Sequence, residues 1–218
     1  MTVPDHGELW GLPTRVQPAS EGIHSRWHGI RFGYHFSRHL RLSGNTLEAS
    51  YELENLAPFE FKFVWALHSL MKLTIPVEFR FTGDNSWRLS HDAVGGQHNK
   101  LFTWPTCQVN EDVSKLGNLP AGRGWKVFST QPIDKPFDIC YPTRGRKLTI
   151  SYESESNIAA YWGIWINTGG WAGHHHFAVE PTTGRRDRLD ESVRDGSAAK
   201  VEPLSTVRWI VRWTTEKL

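Results

Sequence analysis

The chain has 218 residues, enough for one large domain with a sizeable core, and 39% of them are hydrophobic. Its 25 Lys and Arg nearly balance 23 Asp and Glu, so the formal net charge is only +2. This excludes the basic surplus with which proteins bind nucleic acid by counterion release. No apolar run approaches the ~20 residues of a membrane span, and the first residues, MTVPDHGE, do not resemble a signal peptide. We therefore expect a cytoplasmic protein with no nucleic-acid or membrane partner and an uncharged or weakly charged ligand.

The tryptophan and cysteine contents add two expectations. The sequence contains 11 tryptophans. Indole rings stack on the C–H faces of sugars, so this number hints at a carbohydrate ligand, although aromatic residues also favour strands for packing reasons alone. The two cysteines, Cys107 and Cys140, cannot form a disulfide framework, and we interpret both as free thiols.

In chain order, residues 1–22 are rich in Pro and Gly, and PDHGELWGLP at 4–13 is predicted to form a loop that presents His6, Glu8 and Trp10. Residues 31–42 and 46–55 then alternate apolar with polar side chains. A Ser-Gly-Asn turn separates them, which is typical of a β-hairpin.

The next segments continue the strand pattern. Residues 59–70, FEFKFVWALHSL, alternate as a strand that carries His68 on its less charged face, and residues 72–81 continue as strand with an edge or bulge at Pro76. Residues 83–125 lack a clear pattern and are predicted to form a long excursion that rims a site. Asp138 lies between large apolar residues in KPFDICY, where a carboxylate is either hydrogen-bonded or functional.

The C-terminal third completes an all-β prediction. Residues 147–154 and 206–216 alternate with period two, and the apolar run 158–167 is typical of a central strand covered on both faces. Residues 185–196 are predicted to form one short helix. The architecture predicted is a single β-sandwich domain over residues 1–218, with two large antiparallel sheets packed face to face.

The most informative stretch is WAGHHHFAVEPTTGRR, residues 171–186. If it is a strand, Phe177 and Val179 point into the core, whereas His176, Ala178 and Glu180 share the other face. A carboxylate at a strand end beside an imidazole is suited to moving protons.

Other chemistries have weaker support. His174, His176 and Glu180 spell HxHxxxE, the ligand spacing of cupin metal centres, but the flanking glycines and the downstream half-motif of cupins are absent. No GxSxG elbow occurs, and the Gly-rich pieces GDNS and AGRG lack the strand-Gly-helix context of a phosphate loop. Alternatively, His68, Asp138 and Glu180 are scattered structural residues.

Four blocks of the sequence together resemble the aldose 1-epimerase (galactose mutarotase-like) superfamily. They are DHGELWG at 5–11, YELENLAPFEFKFVWALHS at 51–69, PFDICY at 136–141 and FAVEPTTGRRDRL at 177–189. The resemblance implies the galactose mutarotase-like supersandwich fold. It also implies a sugar substrate, and an enzyme that interconverts the α and β anomers of a free or phosphorylated aldose without a metal or organic cofactor.

Position by position, the resemblance makes Glu180 the general base and His68 the general acid, with His6 and Asp138 contacting the sugar. We add Trp10 of the same loop and His176 of the same strand face as substrate-binding candidates.

The sequence also departs from the family pattern. Residues 69–71 replace an aromatic pair, and the stretch that usually precedes the HG loop, with its sugar-binding arginine, is missing. An exposed sheet edge left there would favour a homo-oligomer. A non-catalytic carbohydrate-binding protein and, less favoured, a cupin-like metalloenzyme remain the alternatives.

Overall fold

Two antiparallel sheets make up most of the computed structural model, which describes residues 6–92, 99–108 and 111–218. The predicted all-β sandwich is therefore confirmed. In spatial order, the larger sheet has eight strands: β1 (Arg15–Ala19), β2 (Gly22–His28), β3 (Tyr34–Ser43), β4 (Thr46–Asn55), β18 (Thr206–Lys217), β14 (Arg146–Ser154), β13 (Phe137–Tyr141) and β7 (Glu78–Arg80). Neighbouring strands in it are hydrogen-bonded along their length.

The smaller sheet has six strands and carries the histidine-rich stretch. In spatial order they are β6 (Met71–Lys72), β16 (His175–Thr182), β15 (Tyr161–Thr168), β12 (Gly124–Ser129), β8 (Ser86–Asp92) and β9 (Lys100–Thr103). Two further two-stranded antiparallel sheets are formed, by β5 (Phe61–Phe63) with β17 (Ala199–Val201) and by β10 (Thr106–Gln108) with β11 (Glu111–Asp112). As predicted, the apolar run 158–167 supplies a central strand, β15.

Alternation along the strands decides which side chains form the core between the sheets. On β18, Val207, Trp209 and Val211 point inward, and Trp209 stacks on Tyr51 of β4 with ring centroids 5.8 Å apart. On β16, Phe177 and Val179 point inward and are completely or almost completely buried, as the sequence predicted. Ala178 and Glu180 therefore belong to the other face of the six-stranded sheet.

Helical structure is confined to short segments. The predicted short helix is α1 (Leu189–Arg194), and 3₁₀ turns occur at Leu116–Asn118 and Pro142–Arg144. No helix of the described residues is long and apolar enough to cross a membrane. Cys107 and Cys140 are both buried and are not joined in a disulfide, which agrees with the sequence analysis.

Two local predictions are wrong, and one strand was not predicted. Residues 15–19, for which the sequence pattern indicated no strand, form β1 at the edge of the larger sheet. The run 59–70 was expected to be one strand, but only residues 61–63 are, because β5 pairs with β17 and the chain then leaves that pairing. Residues 72–81 are likewise split between β6 in one sheet and β7 in the other. Period-two alternation does not reveal where a chain changes sheets.

Candidate active site

His68 and Glu180 are brought together by one strand pairing. The segment after β5 runs antiparallel to β16, with a bridge between Ala66 and Thr182. Further along, Lys72 pairs with His176 in the same register. This register sets position 68 directly opposite position 180, where side chains of paired strands share a face and lie close together.

The carboxylate of Glu180 lies between an imidazole and an ammonium group. Its Oε1 is 3.3 Å from Nε2 of His68, and its Oε2 accepts a hydrogen bond of 2.5 Å from Nζ of Lys126. The Glu180 side chain is only 2% exposed, whereas that of His68 is 39% exposed. Oε1 of Glu180 is buried and has no hydrogen-bond partner among the described residues. The imidazole therefore faces solvent, and the carboxylate lies beneath it.

A glycine leaves room for the carboxylate and the lysine to meet. Phe128, Gly163 and Glu180 stand side by side on β12, β15 and β16. A Cβ at position 163 would lie 3.1 Å from Cε1 of Phe128 and 3.5 Å from Cβ of Glu180. Lys126, two residues before Phe128 on the same face, crosses this gap with its Nζ 5.1 Å from the centre of the Phe128 ring. Sequence analysis missed both Lys126 and Gly163.

His176 lies on the same face of β16 as Glu180. Burial lowers its pKa below the usual value of a histidine, and the charges of His174, His68 and His175 lower it further. A neutral imidazole can both donate and accept a hydrogen bond, which suits a sugar hydroxyl.

Trp165, which the sequence did not single out, lies beside His176, and Trp171 contacts Trp165. The ring of Trp165 is 6.4 Å from that of His176 and 6.5 Å from that of Trp171, which meets it edge-on. Asn167 fixes the loop that carries Trp171, because its side chain donates to the carbonyl of Trp171 and accepts from its N–H, each at 3.0 Å. These rings form an apolar wall of the type that stacks on sugars.

An open depression of about 530 Å³ adjoins these residues. It is lined by residues 70–74 and 173–176, and so includes His176 but neither His68 nor Glu180. Its volume is within the range of small-molecule sites. His68 and Glu180 thus lie outside the lining of the depression.

The predicted loop residues His6 and Trp10 are packed against each other, with ring centroids 5.7 Å apart, and Trp10 is 83% exposed. Glu8 anchors their loop, since its Oε2 accepts hydrogen bonds from Nη1 of Arg31 at 3.1 Å and from the backbone N–H of Arg31 at 3.3 Å. Burial raises the pKa of Glu8, but hydrogen bonds from Tyr34 and Arg31 outweigh it and leave the pKa below its usual value. These contacts hold the loop to the segment between β2 and β3 and do not by themselves bring it to Glu180.

The structure does not bring Asp138, a predicted sugar-binding residue, to Glu180. Phe137 and Ile139 of β13 point into the core, so Asp138 lies on the outer face of the eight-stranded sheet. There it accepts a hydrogen bond of 2.6 Å from Thr149 and is 3.3 Å from Nζ of Lys147. Glu180 is on the outer face of the other sheet, so the sandwich separates the two carboxylates.

The cupin-like alternative finds no geometric support. The rings of His174 and His176 stack with centroids 5.9 Å apart. Within the part of the chain that the structure describes, no three His, Cys, Asp or Glu side chains are arranged to hold a metal ion.

Comparisons with known proteins agree with the fold. No protein-family model matches the sequence, and a search of curated proteins finds no match either. Among solved structures, 99% of this chain superimposes on 70% of the Slr1438 protein from Synechocystis sp. PCC 6803, with 19% identity and a TM-score of 0.75. A protein from Escherichia coli K12 that is provisionally named an aldose 1-epimerase matches 98% of this chain over 72% of its own, with 14% identity and a TM-score of 0.72.

A galactose mutarotase-like protein from Lactobacillus casei matches 98% of this chain over 76% of its own, with 13% identity and a TM-score of 0.73. At these identities the comparisons inform on the fold. The protein therefore has the galactose mutarotase-like fold that its four sequence blocks predicted.

Proposed function

We propose that this protein is an aldose 1-epimerase-like enzyme that interconverts the α and β anomers of an aldose by acid–base catalysis. The observation that carries the proposal is the 3.3 Å approach of His68 to Glu180 on this fold. A carboxylate and an imidazole can serve as base and acid in the same reaction when they start in opposite protonation states.

The reaction needs two proton transfers that are reversed in its second half. Glu180 accepts the proton of the anomeric hydroxyl while His68 donates one to the ring oxygen, so the ring C1–O5 bond breaks and an open-chain aldehyde forms. Rotation about the C1–C2 bond exposes the other face of the carbonyl. The ring closes as His68 takes the proton back from the attacking hydroxyl and Glu180 returns its proton to the carbonyl oxygen. No proton or electron is left over.

The neighbouring residues suit such a substrate. Trp165 and Trp171 offer apolar ring faces, and His176 offers a hydrogen-bonding imidazole beside them. The similar structure from Escherichia coli carries a provisional aldose 1-epimerase name, which favours the same chemistry. The sugar's oxygens would have to enter between His68 and Glu180. Two hydrogen bonds of about 2.8 Å each need more room than the present 3.3 Å between Nε2 of His68 and Oε1 of Glu180, so the two side chains must move apart.

Polarimetry of freshly dissolved α-anomers, over a panel of aldoses with and without phosphate, tests the proposal directly. We expect acceleration above the buffer rate for at least one sugar. Glu180→Gln keeps the shape of the side chain and should abolish it, whereas His68→Asn should lower it by about 10²–10⁴-fold. Glu52→Gln, the same chemical change at a carboxylate paired with Arg208 on the outer face of the larger sheet, is the control. Unchanged rates in the Glu180 variant would remove the base from its role.

A second function is favoured by one observation, the burial of Glu180 to 2% exposure. A non-catalytic carbohydrate-binding protein would use the same tryptophans and histidine without proton transfer. Tryptophan fluorescence that saturates with a sugar, together with anomer exchange no faster than in buffer, would select this function over the enzyme.

A further inference from the structure

We infer that Lys126 is a positioning residue for this site: it holds Glu180 through one carboxylate oxygen, keeps the carboxyl ionised, and leaves the other oxygen as the proton acceptor. This inference rests on the proposed function and names a residue that the sequence did not single out. Its basis is the unequal surroundings of the two oxygens. Oε2 is bound by Lys126, whereas Oε1 faces His68 and lacks a hydrogen-bond partner among the described residues.

Burial explains why a cation is needed at this place. The side chains of Glu180 and Lys126 are 2% and 10% exposed. A carboxyl group removed from water favours its neutral, protonated form unless an opposite charge lies close by. A protonated glutamate cannot act as a base, so the buried position is compatible with catalysis only if a partner keeps the charge in place.

The charged groups around Glu180 single out Lys126 for this role. Lys126 faces the carboxylate from β12, His68 faces it from the segment beyond β5, and His176 lies on the same face of β16 itself. The reaction requires His68 to give up and regain a proton, so its charge is not constant through the cycle. Lys126 supplies the constant charge.

The lysine is also fixed in place, which distinguishes it from a flexible surface partner. Its strand is paired on both sides, with β8 and with β15, and its Nζ lies over the Phe128 ring. The missing side chain of Gly163 leaves room for the Phe128 ring and for Cβ of Glu180 on either side of it. A base held in one orientation presents its free oxygen to the substrate without a rotamer search.

The test compares Lys126→Met, Lys126→Arg and a control, Lys200→Met, which removes a lysine from an exposed pair with Glu202. The rate of anomer exchange is measured against pH with a responsive aldose. We expect Lys126→Met to move the acid limb of the profile of kcat to higher pH by about 1–3 units, the effect of an opposite charge at this range. Lys126→Arg should restore most of the shift, and the control should not move it. A uniform loss at every pH, or an unmoved limb, would overturn the inference.

A second measurement separates this inference from the proposed function. Carboxyl ¹³C chemical shifts of Glu180 report its ionisation without any sugar. The carboxyl should take up its proton at a higher pH in Lys126→Met than in the native protein. If no sugar is turned over but this difference is seen, the enzyme proposal fails while the role of Lys126 stands. If turnover is seen but the titrations coincide, the role of Lys126 fails alone.

Discussion

The buried Lys126–Glu180 pair makes a quantitative prediction about stability. A double-mutant cycle tests it, with the single changes Lys126→Met and Glu180→Gln and the double change that combines them. Exposures of 10% and 2% put the pair among buried ion pairs. Breaking such a pair costs about 3–5 kcal/mol because one charge is left uncompensated. An exposed pair contributes less than about 1 kcal/mol.

The two single changes should differ in size. Lys126→Met leaves a buried carboxylate without its lysine partner, so we expect the full loss of about 3–5 kcal/mol. Glu180→Gln keeps an amide oxygen that can still accept from Lys126, so a loss of about 1–3 kcal/mol is expected. The double change should cost no more than the worse single one. The coupling energy is then about 1–3 kcal/mol.

Urea unfolding at neutral pH, followed by the fluorescence of core tryptophans, measures these free energies. The control is the pair of Arg208 and Glu52 on the outer face of the larger sheet, whose side chains are 51% and 39% exposed at a separation of 2.7 Å. The same cycle there should give a coupling below about 1 kcal/mol that weakens with added salt. Single-variant losses below about 0.5 kcal/mol, or a coupling as small and salt-sensitive as the control's, would refute the buried pair.

Four further outcomes are expected. The pKa of His176 is lowered in the folded protein, so the native protein should lose stability as pH falls from the unfolded value near 6.5 toward the folded one, and His176→Gln should flatten this slope in thermal melts. Glu8→Gln removes the partner of Arg31 and should lower the free energy of unfolding by about 1–3 kcal/mol in denaturant titrations. Trp165→Ala should weaken sugar binding about tenfold by calorimetry if its ring is the stacking surface. Asp138→Asn should leave sugar turnover unchanged, and a large loss would contradict its placement on the other sheet.

Local alternation was sufficient to predict the faces of individual strands. The order of side chains at 176–180 correctly sent Phe177 and Val179 to the core and Glu180 to the opposite face. This succeeds because successive side chains of a strand must point to opposite faces, whatever the strand pairs with. The pattern holds for β18 and β4 as well, where inward residues alternate with cross-strand ion pairs.

The assignment of strands to sheets could not be predicted in the same way. Asp138 and Lys126 both lie between large apolar neighbours, so each was bound to face away from a core. The structure places the first on the eight-stranded sheet and the second beside Glu180 on the six-stranded one. A charged residue between large apolar neighbours is found at Lys126 as well as at Asp138. The two positions differ in which strands pair with theirs, and alternation along a single strand does not encode that pairing.

The approach of His68 to Glu180 also depends on long-range strand pairing. The sheet holds the two residues to different degrees. Glu180 lies within a strand that is paired to β15 on one side and to the segment of His68 on the other. His68 lies between the bridge at Ala66 and the start of β6 at Met71, in residues outside any strand. Displacing the imidazole therefore breaks no ladder of the six-stranded sheet, whereas displacing the carboxylate disrupts the ion pair with Lys126. Under the proposed function, displacing His68 is the least costly way for a sugar to reach the buried oxygen of Glu180, so the imidazole would also control access to the carboxylate.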